Sequence, residues 1–153
     1  MRRFRRFVLA AMALTALALT ALAQAPELAA AEADPRTALA LPADLRPAFL
    51  AHMRHHMDAL DDIIARLAAA DFKGAAGVAR TELEPGSGAG FGRYLPLEFR
   101  EMGLGMHRAA AEFATVAEAV PAQPAAADWQ KAIAALQTLS AHCRGCHGAF
   151  RVE

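Results

Sequence analysis

The segment that says most about the fold is residues 128–151, which read DWQKAIAALQTLSAHCRGCHGAFR. Side chains suited to a protein interior recur along it at intervals of three and four residues, the spacing of one face of an α-helix. They form a stripe that consists of Trp129, Ile133, Leu136, Leu139, Cys143 and His147. The segment therefore predicts an amphipathic helix whose last turns carry two thiols and an imidazole.

Three earlier segments show the same helical spacing. The first covers residues 44–67, with Asp44 as a candidate N-cap, Pro47 in its first turn and a polar opposite face. The second begins after the candidate N-cap Asp71 and ends at Leu83, and the third covers residues 97–120. The stripe on the first helix consists of Phe49, Leu50, Met53, Met57, Leu60, Ile64 and Leu67.

The four helical segments and the short connections between them predict an all-α fold. Residues 85–90, which read PGSGAG, predict a loop, and Pro121 and Pro124 separate the last two helices. No segment shows the strict alternation of a half-buried strand, so no strand is predicted. Four amphipathic helices with short connections bury their apolar stripes most simply as an antiparallel four-helix bundle.

The N-terminal residues predict a secretory signal peptide over residues 1–23. Several arginines precede an apolar run from Phe7 to Leu22, and Ala21-Leu22-Ala23 forms a small-x-small cleavage site. The run is shorter than the ~20 residues that cross a bilayer, and no basic stop-transfer flank follows it. We therefore expect cleavage after Ala23 and a periplasmic or otherwise exported protein.

Composition sets the domain organisation and excludes one class of partner. Residues 24–42 are rich in Ala, Pro and Glu and show no sustained period, so they predict a flexible leader before a folded domain over residues 43–153. The chain carries 16 basic and 16 acidic residues. Because there is no overall basic field, nucleic acid is not an expected partner.

The chemistry is concentrated in Cys143-Arg144-Gly145-Cys146-His147. A C-x-x-C-H sequence is the attachment signature of haem c, in which two thiols bond covalently to the porphyrin and the following histidine binds iron. A thioredoxin-like dithiol would need a βαβ context, and a structural zinc site would need a second pair of ligands. Neither is visible in the sequence, which favours one covalent haem as the cofactor.

The chain resembles the class II c-type cytochromes, the group of cytochrome c′ and cytochrome c-556. The resemblance rests on Leu45-Arg46-x-x-x-Leu50 and His56-Met57-x-Ala59-Leu60 in the first helix, and above all on residues 142–151, HCRGCHGAFR. It implies an exported monohaem protein that transfers electrons to redox partner proteins. It also implies haem on the last helix, His147 as the solvent-side iron ligand, and a possible homodimer through the first two helices.

The resemblance leaves the sixth iron ligand open. Counting four residues from Arg46 places Leu50 over the iron, which would leave an open site for NO or CO. A slip of three residues places Met53 there instead, and a thioether ligand would favour an electron carrier. Another histidine or Met57 is a third alternative, and packing in the core is the ordinary role of a methionine on such a stripe.

Arg46 is a candidate haem-binding residue because it lies on an otherwise apolar stripe. An unpaired charge there would be costly, so we expect an anionic partner. The resemblance implies a haem propionate, and a guanidinium suits a carboxylate. Alternatively, the Arg46 side chain extends from the helix end to water.

A cluster of imidazoles and thioethers suggests copper handling as another function, because copper binds such ligands. His52 and His56 are spaced to share a metal on one helix face, whereas we expect His55 and His107 to lie off the apolar faces and His142 at the surface. The thioethers of this cluster are Met53, Met57, Met102 and Met106.

The sequence shows no sign of an active site. No nucleophile with a base, phosphate-binding loop or acid/base carboxylate pair stands out, so no enzyme is predicted.

Overall fold

A computed structural model describes residues 33–86 and 90–153. The predicted signal peptide, residues 24–32 of the predicted leader and residues 87–89 of the glycine-rich loop lie outside the described residues. Residues Arg36–Glu153 form one compact unit. The fold and the site described below belong to this unit.

The unit is mostly helical, and the prediction of four helices is confirmed. Helix α1 spans Arg46–Ala68, α2 spans Phe72–Glu82, α3 spans Leu97–Glu118 and α4 spans Ala126–Ala149. A short 3-10 helix, Phe91–Tyr94, precedes α3. The closest packing is between helices that follow one another in the chain, α1 with α2, α2 with α3 and α3 with α4.

The turn between α1 and α2 is fixed by Asp71, which caps α2 as the sequence predicts. Its carboxylate accepts a hydrogen bond from the backbone N–H of Gly74 at 2.8 Å and forms an ion pair with Arg66 at 2.8 Å. A Cβ atom at Gly74 would lie 1.9 Å from that carboxylate. Glycine, which lowers helix propensity, is required here because the cap lies directly against the backbone.

Two short strands join the ends of the folded unit, although the sequence predicts none. Strand β1, Thr37–Leu39, pairs in parallel with β2, Phe150–Val152. Arg36 also donates a hydrogen bond to the backbone carbonyl of His147 at 3.3 Å. Three residues are too few to show an alternating period, which explains why the pattern missed both strands. The end of the predicted leader thus belongs to the fold and lies beside the C-x-x-C-H segment.

Most of the buried side chains belong to one main core shared by the four helices. Its largest fully buried members are Phe113, Ile63 and Leu139. Alanines fill much of the remaining space, which lets the helices approach closely. These small buried residues are Ala59, Ala75, Ala76, Ala79, Ala109, Ala110, Ala114, Ala117 and Ala132.

The apolar face of α1 is rotated from the stripe expected in the sequence. The helix buries Phe49, Ala59, Ile63 and Leu67. Three members of the expected stripe are largely exposed instead, namely Leu50, Met57 and Ile64, at 36%, 52% and 48%. The expected stripe weighted large side chains and passed over Ala59, which packs where a larger residue would not fit. On α4, Ile133 is exposed for the same reason, and Ala132 is buried.

A second, smaller group of buried residues lies near the strands. We call it the end cluster, and it consists of Leu39, Leu41, Phe49 and Phe91. The ring of Phe49 packs edge-on against Phe91, with centroids 5.5 Å apart, and lies 5.9 Å from Phe99. The end cluster therefore ties the N-terminal segment and the 3-10 helix to the start of α1.

No helix within residues 33–86 and 90–153 is both long enough and apolar enough to cross a membrane.

Candidate functional site

A cavity of about 320 Å³ opens between α1, the 3-10 helix, α3 and α4. Its size falls in the range of pockets that hold small molecules and cofactors. Phe49 and Phe91 from the end cluster line it, and so does Met106 from the main core. Both groups of buried residues therefore contribute apolar side chains to the cavity.

The cavity collects the C-x-x-C-H motif and most of the chain's imidazoles and thioethers. Metal-ligating side chains line it from α1, α3 and α4. They are His52, Met53, His56, Met57, Met102, Met106, His107, His142, Cys143, Cys146 and His147. Residues far apart in the sequence therefore meet around one space.

Both cysteines face this cavity as half-buried free thiols. Burial raises the pKa of Cys143 above its ordinary value. Burial and the neighbouring Cys143 raise the pKa of Cys146 to about 11. Both side chains are therefore neutral thiols near pH 7. His147 is exposed at the end of α4 and also lines the cavity.

Helices α3 and α4 approach each other closely beside the motif. A Cβ atom at Gly105 would lie 3.0 Å from the His142 ring, and one at Gly145 would lie 3.4 Å from the Met102 methyl group. Residues 102–105 thus run beside residues 142–145. The expectation that His142 lies at the surface is wrong, because its ring is half-buried against Gly105 and lines the cavity.

Three imidazoles pack together on one side of the cavity, and we call them the histidine cluster: His52, His56 and His107. The ring centroids of His52 and His56 are 4.3 Å apart, and those of His56 and His107 are 5.6 Å apart. Burial, reinforced by the other histidines, lowers the pKa of His56 to about 4. Burial also lowers the pKa of His52. His56 is thus an uncharged imidazole near pH 7.

One atom of the cluster is without a hydrogen-bond partner. Nε2 of His56 is buried and, among the described residues, nothing donates to it or accepts from it. A buried polar atom left unpaired costs free energy. Such an atom in the wall of a cavity is placed to bind a group that enters the cavity.

His107 lies in the cavity wall, contrary to the expectation that it lies off the apolar side of its helix. Its Nδ1 is 2.8 Å from the backbone carbonyl oxygen of Leu83. Since a carbonyl only accepts, Nδ1 donates the proton of this hydrogen bond. No local pattern in the sequence indicates this contact, because it depends on how α2 and α3 pack. His55 is exposed as expected, with its Nε2 3.3 Å from Glu82.

Only some of the α1 residues that the sequence placed near the iron line the cavity. Met53 is half-buried and lines the cavity, and Met57 lines it with a largely exposed side chain. Leu50 and Arg46 are not among the lining residues. Arg46 is half-buried, and its Nε is buried without a hydrogen-bond partner among the described residues.

The charge of the cavity wall is contributed by Arg100. It is the one lysine or arginine among the described lining residues, and none of those residues is acidic. Arg100 lies near the start of α3, where its side chain is exposed. Arg100 was not a candidate from the sequence, because an exposed arginine at a helix start is usually solvated. Its position makes it a candidate partner for an anionic group at the cavity mouth.

The described residues contain no group of three or more His, Cys, Asp or Glu side chains arranged to hold a metal ion. The histidine cluster is therefore not a preformed three-ligand copper site in this part of the chain. Its imidazoles and the nearby thioethers nevertheless remain grouped around one cavity.

The donor set and the unpaired His56 nitrogen fit a haem. Haem c is held in an apolar cavity by two thiols at the C-x-x-C spacing and an imidazole on the iron, and a nearby cation suits its carboxylates. Cys143, Cys146, His147 and Arg100 supply these groups around one space. No family model, curated protein or solved structure matches this chain.

Proposed function

We propose that the protein is an exported monohaem c-type cytochrome that carries electrons. The observation that carries the proposal is the common cavity, which contains both thiols and the imidazole of C-x-x-C-H together with further iron-ligating side chains of α1. Cys143 and Cys146 would hold the haem covalently, and His147 would bind its iron. Haem c, when bound, supplies one-electron chemistry between ferrous and ferric iron.

The state of the thiols supports haem attachment over a redox-active dithiol. Reactive cysteines have a lowered pKa, because the thiolate is the nucleophile. The pKa of both Cys143 and Cys146 is raised instead, since both are half-buried in apolar surroundings. A structural zinc site needs four ligands, and no such group exists among the described residues.

The side chains on the cavity face of α1 favour an electron carrier over a gas binder. An open iron site would be covered by a side chain that cannot ligate, and Leu50 is the candidate implied by the family resemblance. Leu50 is outside the lining, whereas Met53 and His56 are within it. Both can bind iron, so a filled sixth position is the better supported state. The sequence leaves both Met53 and a histidine open as this sixth ligand.

Two arginines serve the carboxylates of the haem in this proposal. Arg100 is exposed and lines the cavity, so its guanidinium could pair with a haem propionate. Arg46 keeps the role implied by the resemblance, because its buried Nε still needs an acceptor. A guanidinium next to a carboxylate forms a charge-assisted hydrogen bond.

The surrounding fold and partners complete the proposal. We propose that the helices form an antiparallel bundle, which the proximity of residues 102–105 to 142–145 supports. Redox proteins are the expected partners. A second copy of the chain is another, because Leu50, Met57 and Ile64 leave an apolar stripe on α1 exposed.

Covalent haem is the decisive test of the proposed function. The full chain is expressed in a host that attaches haem c, and the purified protein is extracted with acidic acetone. We expect all of the haem to stay with the polypeptide and the product to titrate reversibly with one electron. Complete extraction of haem from the wild-type protein would remove the proposal.

Export is tested on the same preparation. Since the proposed protein is periplasmic and the predicted cleavage follows Ala23, intact-mass spectrometry of the mature protein should place its N-terminus near Gln24. Retention of Met1 in the haem-loaded protein would contradict the predicted signal peptide without affecting the haem site.

A further inference from the structure

We propose that His56 supplies the sixth iron ligand, so that the haem is held between two imidazoles, those of His147 and His56. The inference rests on the proposed function and chooses among the sixth ligands that the sequence left open, a histidine instead of Met53. It concerns a residue of α1 that the family resemblance does not place on the iron.

The first support is the unpaired nitrogen. Nε2 of His56 is buried in the protein and has no hydrogen-bond partner among the described residues. The same side chain lines the cavity that contains Cys143, Cys146 and His147. A bond to a metal would satisfy this lone pair and remove the cost of leaving it unpaired. A methionine sulfur in the same wall carries no comparable unmet requirement, since a thioether is only a weak acceptor.

The second support is the packing of the imidazole. The His56 ring is half-buried and packs against the rings of His52 and His107. An imidazole binds metals through a ring nitrogen that carries no proton. Nε2 is the buried nitrogen that could serve, because it has no hydrogen-bond partner among the described residues.

The third support is position along the bundle. His56 lies against His107 of α3, and residues 102–105 of α3 run beside residues 142–145 of α4. Side chains of a helix lean toward its own N-terminus, so the His56 ring points back along α1 toward the level of Met53. His56 and Met53 therefore approach the motif from the same wall of the cavity.

His107 acts as a positioning residue in this arrangement. Its ring is held by the Leu83 carbonyl and meets the His56 ring almost perpendicularly, at 86°. This contact limits the rotation of the His56 side chain. Supporting contacts of this kind commonly orient metal-binding histidines. His52 packs on the other side of His56 and has no such backbone contact among the described residues.

Spectra of the purified holoprotein test the proposal. We expect low-spin iron in both oxidation states without the ferric charge-transfer band, toward the red end of the visible, that reports sulfur ligation. His56→Ala should lose the low-spin state and bind carbon monoxide, and added imidazole should restore the low-spin state. Rescue by imidazole distinguishes a lost ligand from a loosened fold.

Two further variants make the assignment specific. His52→Ala and Met53→Ala change side chains in the same cavity wall and should both stay low-spin. His56→Met should introduce the sulfur band and raise the reduction potential, because a thioether ligand favours ferrous iron relative to a second imidazole.

Each contrary result has a distinct meaning. A sulfur band in the wild type that disappears in Met53→Ala overturns the role of His56 and leaves the electron-carrier proposal standing. A wild-type protein that is high-spin and binds carbon monoxide freely overturns it in favour of gas binding. A wild-type protein without covalent haem removes both proposals together. Even where a variant fails to fold, the wild-type spectrum distinguishes a second imidazole from a thioether ligand and from an open site.

Discussion

The double variant Cys143→Ala/Cys146→Ala is expected to release all of its haem into acidic acetone, whereas each single variant keeps it through the remaining bond. The reason is the number of covalent bonds, because axial ligands are lost on acid denaturation and a thioether is not. The measurement is haem absorbance in the protein and acetone fractions, with Arg144→Ala as the control. Arg144 lies inside the motif but is exposed and does not line the cavity.

The same variants show whether loss of haem is independent of loss of folding. Both cysteines are only half-buried, and Cys143 packs at the edge of the main core. We therefore expect the double variant to keep its helical circular dichroism while it loses haem. Haem that stays bound in the double variant after extraction would show that the attachment is elsewhere. Loss of helical structure in either single variant would show that the thiols serve chiefly in packing.

The helices of this chain could be predicted because each repeats a local signal many times. The apolar period extends over several turns of α1 and α3, and the Asp71 cap adds a residue-specific start for α2. Errors in the buried face arose where size was taken as a guide to burial. Leu50 and Ile64 are large and exposed, while Ala59 is small and buried, because helices that pack closely need small residues at the contact.

The candidate site could be predicted only where it is local in sequence. The C-x-x-C-H spacing is contained in one helical turn, so Cys143, Cys146 and His147 were evident. The opposite wall depends on how α1 and α3 are rotated and how far they are shifted along each other. That explains why His107 was expected off the apolar face and why Arg100 was missed, since nothing near either residue in the sequence indicates a cavity.

Phe113→Ala should have the largest effect on stability, a loss of ~3–5 kcal/mol in the free energy of unfolding. Phe113 is completely buried at the centre of the main core and does not line the cavity. Removing its ring leaves a void that the surrounding alanines cannot fill without moving helices. A typical domain is stable by only ~5–15 kcal/mol, so this loss is a large part of the total. Urea denaturation of the haem-loaded protein, followed by circular dichroism, measures it.

Leu97→Ala is the matched control, because Leu97 begins the same helix and is 56% exposed. We expect its effect to stay within ~0.5 kcal/mol, as for most surface changes. Below its unfolding transition, Phe113→Ala should retain the wild-type spin state, since the cavity wall is intact. Equal losses of unfolding free energy in the two variants would contradict the placement of Phe113 in the main core. An altered spin state in Phe113→Ala alone would show that the core and the haem site are coupled through α3, which supplies Phe113 to one and His107 to the other.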